Sequence, residues 1–205
     1  MLNGWTFHYF RIFCKENPDK LISQYDTVIG KIGDMQRLLT IHIPALHFQF
    51  RFLITNATSE EVNKLLLDLR KKIGIELWKK IFSIMLCDNG TEFNELNRQE
   101  FDEKENKLSN VFYCDPYCSS QKGACERNHE LIRYIEQKHH SLNHWTQEKV
   151  NLMFSHINSV PRKSLGGKTP YEAFEFFYGK ETLDKLNIQK IEKDKVTLQP
   201  YLLII

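Results

Sequence analysis

Three acidic side chains stand where they can do chemistry together. Asp26 sits between Tyr25 and Thr27 in residues 21–30, a run that otherwise reads as a β-strand, and strand interiors disfavour Asp. Asp88 follows the apolar run 81–87 and precedes Asn89-Gly90. It thus stands at the carboxyl end of a buried strand, where open α/β sheets gather ligand and active sites. Glu126 comes early in a helical segment after Gly123, with Glu130 one turn further on. Each also has a plain structural role open to it: an outward Asp on an edge strand, a turn-capping Asp, a first-turn acid facing the helix dipole. Taken together, two strand-borne Asp residues and one helix-borne Glu can converge on one sheet edge. Carboxylates so gathered repel one another, and some are driven towards protonation. Mg²⁺ (or Mn²⁺) removes that penalty, because it is a hard ion held by carboxylates and water. Two such ions about 4 Å apart clamp the attacking and leaving oxygens of an in-line displacement at phosphorus.

Periodicity predicts the elements that must position these residues. Residues 21–30, 37–43 and 48–54 are short strand-like runs with short connections, an antiparallel meander. Thr58 and Glu61 form a capping-box signal, and Val62, Leu65, Leu66, Leu69 and Ile73 follow at helical spacing until Gly74. Residues 81–87 read as a central strand covered on both faces. Residues 94–109 are polar and charge-dense, a loop or short exposed helix, and 111–114 read as a short strand. Helices are predicted from about 122 to 138, from Thr146, and from Thr169-Pro170-Tyr171-Glu172, with a basic glycine-containing loop at 161–168. The order β-β-β-α-β implies a mixed α/β sheet. We divide the chain into a lead-in segment 1–20, a central α/β domain 21–178 and a tail 179–205.

The composition is that of a globular protein: 205 residues, 41% hydrophobic and 26% charged. Nothing in the sequence reads as a membrane span or a signal peptide. Five irregularly spaced cysteines fit a reduced cytosolic protein rather than a disulfide scaffold. The net charge of +2 is uninformative, but residues 115–168 carry a local excess of +3 and five of the eight histidines. That is a weak hint of polyanion contact, which an ordinary mixed surface also explains.

Four blocks carry a resemblance. The first is Tyr25-Asp26-Thr27-Val28-Ile29-Gly30, and the second is Cys87-Asp88-Asn89-Gly90-Thr91-Glu92-Phe93. The third is Asp115-Pro116-Tyr117-Cys118-Ser119-Ser120 with Lys122-Gly123, Glu126 and Leu131-Ile132-Arg133. The fourth is Asn158, Pro161-Arg162-Lys163 and Gly167-Lys168-Thr169-Pro170-Tyr171-Glu172-Ala173-Phe174. In sequence and order these blocks resemble the IS-thirty family of insertion-sequence transposases, over nearly the whole chain.

The resemblance implies an RNase H-like, retroviral-integrase-like core, a mixed five-stranded sheet flanked by helices. It implies that Asp26, Asp88 and Glu126 are a metal-binding catalytic triad, separated by 61 and 37 intervening residues. Glu130, on the same helix face, competes with Glu126 as the third carboxylate. The implied cofactor is Mg²⁺ (or Mn²⁺), as two ions. The implied reaction is hydrolysis at the transposon end, leaving a 3′-hydroxyl that attacks target DNA in the same site. The implied partners are DNA (transposon ends and target) and further copies of the chain in a synaptic complex, in the bacterial cytoplasm at the nucleoid. Arg127, Arg133, Arg162, Lys163 and Lys168 are candidate DNA contacts.

The chain departs from the family pattern in two ways. It starts too late to hold the usual N-terminal helix-turn-helix region, and 134–144 lacks the Pro-Lys-Gly turn often found there. A catalytically inactive, truncated DNA-binding or oligomerising remnant is therefore the alternative reading, and a general RNase H-like nuclease is a third. Cys114, Cys118, Cys125 and His129 do not have the spacing of a common zinc finger. His139, His140 and His144 read as surface polar residues, and Trp5, Trp78 and Trp145 as packing residues.

Overall fold

Strands β1 (Ile22–Ile29), β2 (Arg37–Ile43) and β3 (Phe48–Ile54) form the predicted antiparallel meander in a computed structural model. The structure describes residues 5–136 and 139–203, with the backbone alone for residues 119 and 124–129. Two more strands, β4 (Ile84–Cys87) and β5 (Asn110–Tyr113), add on parallel to β1, giving the order β3-β2-β1-β4-β5. The helices are α1 (Phe7–Glu16), α2 (Ser59–Ile73), α3 (Ile75–Ile81), α4 (Gly123–Ile135), α5 (Gln147–Asn158), α6 (Pro170–Tyr178) and α7 (Lys180–Lys185).

Two-residue alternation sorts each strand between two helical layers. Tyr25, Leu39, Ile41, Phe50 and Met85 join the larger core with Val62, Leu66 and Leu69 of α2, Trp78 of α3 and Phe174 of α6. Val28 and Leu38 face the other way, onto Ile132 and Ile135 of α4 and Val150, Met153, Phe154 and Ile157 of α5. Ile84, Leu86 and Phe112 on that second side pack against Phe10 of α1. β4 is therefore buried on both faces, as its unbroken apolar run requires.

The helix starts follow their sequence signals. Thr169 and Glu172 close a full capping box on α6. On α2 the Thr58 hydroxyl accepts from Glu61 N, but the Glu61 carboxylate turns back to the N–H groups of Thr55, Asn56 and Ala57. Two segments differ from expectation. The strand predicted at 81–87 begins only at Ile84, because Gly74, at φ 91°, turns the chain and a further helix, α3, buries Trp78 and Ile81. The stretch 94–109 forms 3₁₀ turns that bury Leu96, Gln99 and Glu100, and the Glu100 carboxylate accepts from Val111 N.

Both sheet edges are closed, as exposed edges invite mispairing. At β5, Tyr113 N donates to Trp5 O (2.7 Å). At β3, side-chain amides from α5 stand in for a missing strand. Asn158 accepts from Gln49 N (3.0 Å) and donates to Gln49 O (2.9 Å). Gln147 accepts from Leu53 N (2.8 Å) and donates to Arg51 O (3.1 Å). Asn158 is 0% exposed, so removing its amide strands two buried backbone groups. Asn158→Ala is expected to cost about 2–4 kcal/mol in urea denaturation, and a loss below about 0.5 kcal/mol would show that the edge does not depend on it.

Candidate active site

The parallel pairing of β1 and β4 sets Gln24 opposite Leu86. The same register, continued two residues, brings Asp26 beside Asp88 just past the end of β4. Asp26 shares the face of β1 that carries Gln24 and Val28, the face on which α4 packs. The two acids line one cleft of about 760 Å³ at this end of the sheet, along with Thr27, Gly90, Glu92, Tyr117 and Lys122.

Between the two carboxylates lies the ammonium of Lys122. Its Nζ is 3.2 Å from Asp26 Oδ1 and 2.7 Å from Asp88 Oδ2, and it donates to Tyr25 O at 2.9 Å. Lys122 is 4% exposed, and lysines so buried are paired. Burial pushes the Asp26 pKa up; Lys122 opposes this, and the neighbouring Asp88 adds to it. The acids differ in access: the Asp26 side chain is 20% exposed and that of Asp88 41%. Asp88 is the one a solute meets first.

Each acid is also tied by its own loop. Thr27 N donates to Asp26 Oδ1 (2.9 Å), and Gly90 N donates to Asp88 Oδ1 (3.0 Å). Asn89 donates to Cys114 O (2.7 Å), joining the Asp88 turn to the end of β5. The Thr27 hydroxyl donates to the buried Glu92 carboxylate, a latch between the Asp26 strand and the turn after Asp88. Lys122 is delivered by a clasp: Asp115 N donates to Gln121 Oε1, and Gln121 Nε2 donates to Asp115 Oδ2, both at 2.8 Å.

Of the expected site residues, the structure brings Asp26 and Asp88 together. Glu126 lies one turn into α4 by its backbone, and its side chain, like those of Arg127, Cys125 and His129, lies outside the described residues. Glu130 is exposed on the same helix. Among the described residues, no three His, Cys, Asp or Glu side chains form a metal-holding group. Arg133 is half-buried, and burial lowers its pKa against the pull of Glu136. Arg162 turns inward to donate to Ile157 O (3.4 Å), while Lys163 and Lys168 are exposed. Their loop rests on the β2–β3 connection through Ser164 and His47 (2.8 Å), at the opposite end of the sheet from Asp26. Trp78 and Trp145 are core residues.

Lys122, Thr27 and Glu92 were visible in the sequence only as members of matching blocks, and Gln121 lay outside those blocks. The available signal for Lys122 was a lone lysine beside a helix-opening glycine, which ordinarily marks a solvated turn.

The mixed five-stranded sheet and its flanking helices make an RNase H-like fold. A chain of the simian T-cell lymphotropic virus intasome superimposes with a TM-score of 0.57 at 17% identity, covering 76% of this chain and 54% of that one. By sequence, the chain is similar to insertion-sequence transposases. It is 29% identical over 153 residues to the transposase of element IS4351 from Bacteroides fragilis, covering 74% of this chain and 44% of that protein. It is 38% identical over 65 residues to the transposase InsI of element IS30A from Escherichia coli K12, covering 32% of this chain and 17% of that protein. The matches thus span less than half the length of these curated relatives. No protein-family model matches the chain.

The Thr27–Glu92 latch yields a test. Thr27→Val leaves a buried carboxylate without its hydroxyl donor and is expected to cost about 1–3 kcal/mol in chemical denaturation. Thr27→Ser keeps the donor and should recover most of that loss; a loss in Thr27→Ser with none in Thr27→Val would mean that packing of the methyl group, not the hydrogen bond, holds the turn.

Proposed function

We propose that this chain is the catalytic domain of an insertion-sequence transposase, performing metal-dependent DNA phosphodiester hydrolysis and strand transfer. The observation that carries this reading is the Asp26–Asp88 pair, side by side just beyond the point where the parallel pairing of β1 and β4 ends, in an open cleft. Sequence similarity to insertion-sequence transposases supports the substrate class.

The donor set fits Mg²⁺ or Mn²⁺. Two hard carboxylates face one point at which a positive charge, that of Lys122, is already accommodated. Asp26 and Asp88 would hold the ions, with Glu126 as the third carboxylate from α4. When bound, the metal supplies Lewis-acid stabilisation at the phosphodiester and lowers the pKa of the attacking water or hydroxyl. The chain's own part is to position. Backbone N–H groups of Thr27 and Gly90 each hold one carboxylate oxygen, which fixes the direction of the other. The strand ends are buried, and in this reading the more exposed Asp88 is the acid that DNA would meet first. In this scheme no side-chain nucleophile is required. DNA is the partner, and further copies of the chain assemble on it. Lys163 and Lys168 are assigned no contact with the scissile phosphate, because their loop lies at the far end of the sheet. Among the described residues, no helix is long and apolar enough to cross a membrane.

Nicking of supercoiled plasmid in Mn²⁺ tests the reading. Asp26→Asn and Asp88→Asn are each expected to lower the rate at least about 100-fold, or roughly 2.7 kcal/mol in the barrier. Glu126→Gln should do the same and Glu130→Gln should not. Unchanged nicking by Asp88→Asn would sink the mechanism, and the reverse pattern at the two glutamates would reassign the third ligand.

A further inference from the structure

We propose that Lys122 is a resident counter-ion of the acidic pair: its ammonium holds Asp26 and Asp88 together in the metal-free protein and must leave that position for a divalent cation to enter. The inference rests on the metal reading above and deepens it.

Three distances among the described residues mark the arrangement. The Lys122 ammonium meets Asp26 Oδ1 at 3.2 Å, Asp88 Oδ2 at 2.7 Å and Tyr25 O at 2.9 Å. The acceptors come from both acid-bearing segments, so the lysine ties them together as well as neutralising charge. Without it, two neighbouring carboxylates, one of them largely buried, repel each other and splay or take up protons. An ammonium at these distances stands where a cation shared by the same two oxygens would stand. Two cations cannot occupy that point, because like charges a few ångströms apart repel strongly in a partly buried site. Metal loading is therefore an exchange. Lys122 lines the open cleft and has space to swing into it, while the Asp115–Gln121 clasp keeps its backbone in place.

Two consequences follow. The metal-free fold keeps its acids pre-arranged, and the metal is bound more weakly than the bare carboxylates would bind it. A structural lysine that stays in place on metal binding gives the opposite second result, since removing it would loosen the ligands and weaken the metal.

The test is Mn²⁺ binding to the full chain, read from the electron paramagnetic resonance signal of free Mn²⁺, with thermal melts in parallel. Lys122→Met is expected to bind Mn²⁺ at least about tenfold more tightly than wild type. It should melt lower than wild type without metal and gain more on Mn²⁺ addition. Lys122→Arg, which keeps the charge, should keep wild-type affinity. If wild type binds Mn²⁺ and Lys122→Met binds equally or more weakly, the proposal is overturned and the metal reading stands. If neither binds Mn²⁺, the metal reading falls and the proposal with it. Should Lys122→Met not fold without metal, recovery of its fold on Mn²⁺ addition supports the proposal. Failure to recover, with Lys122→Gln binding no tighter than wild type, overturns it.

Discussion

Two carboxylates held side by side cost free energy unless a positive charge accompanies them. Much of the architecture around the cleft follows from that constraint. The parallel register of β1 and β4 puts Asp26 and Asp88 next to each other, Asp26 within its strand and Asp88 directly after the end of β4. The remedy has to come from outside the sheet. It comes from the segment after β5, which crosses the strand ends and lowers Lys122 between the acids. The lysine sits on the last residue before α4, so the chain that supplies the charge also starts the helix carrying Glu126.

The surrounding contacts read as devices for keeping that arrangement in register. The Asp115–Gln121 clasp fixes the crossing segment, and the Thr27–Glu92 latch fixes the turn after Asp88 against the strand of Asp26. Asn89 ties the same turn to the end of β5. The latch and the Asn89 bond join segments 65 and 25 residues apart, whereas the clasp closes a short loop within the crossing segment itself. Partial loss of such a network leaves unsatisfied polar groups in a partly buried site, which costs more than the bond itself contributes.

Much of this was legible in the sequence, for identifiable reasons. The stripe Val62, Leu66, Leu69, Ile73 and the Thr169–Glu172 box are local patterns, and local patterns survive folding. Asp26 and Asp88 stood out because an acid in a strand, or directly after a buried one, needs a reason. α3 was missed because Gly74 reads as a stop, whereas its positive φ redirects one helix into another. The start of β4 was misplaced for the same reason, since Ile81 and Phe82 are as apolar inside a helix end as in a strand. Lys122 was illegible as a site residue, because its meaning lies in partners 96 and 34 positions away.

The strand order explains why the cleft is where it is. β1, β4 and β5 run parallel, so all three open their carboxyl ends at one edge of the sheet. β2 and β3 are joined by a turn at the other edge, where the loop bearing Lys163 and Lys168 rests. Asp26, Asp88 and the segment leading to Lys122 are thus contributed by the three parallel strands in turn. A meander alone, with strands alternating in direction, could not have placed a third successive connection over the same end. The two parallel additions after α2 make the site, and the meander serves mainly to carry β1 into the middle of the sheet, where its acid is half-buried and held.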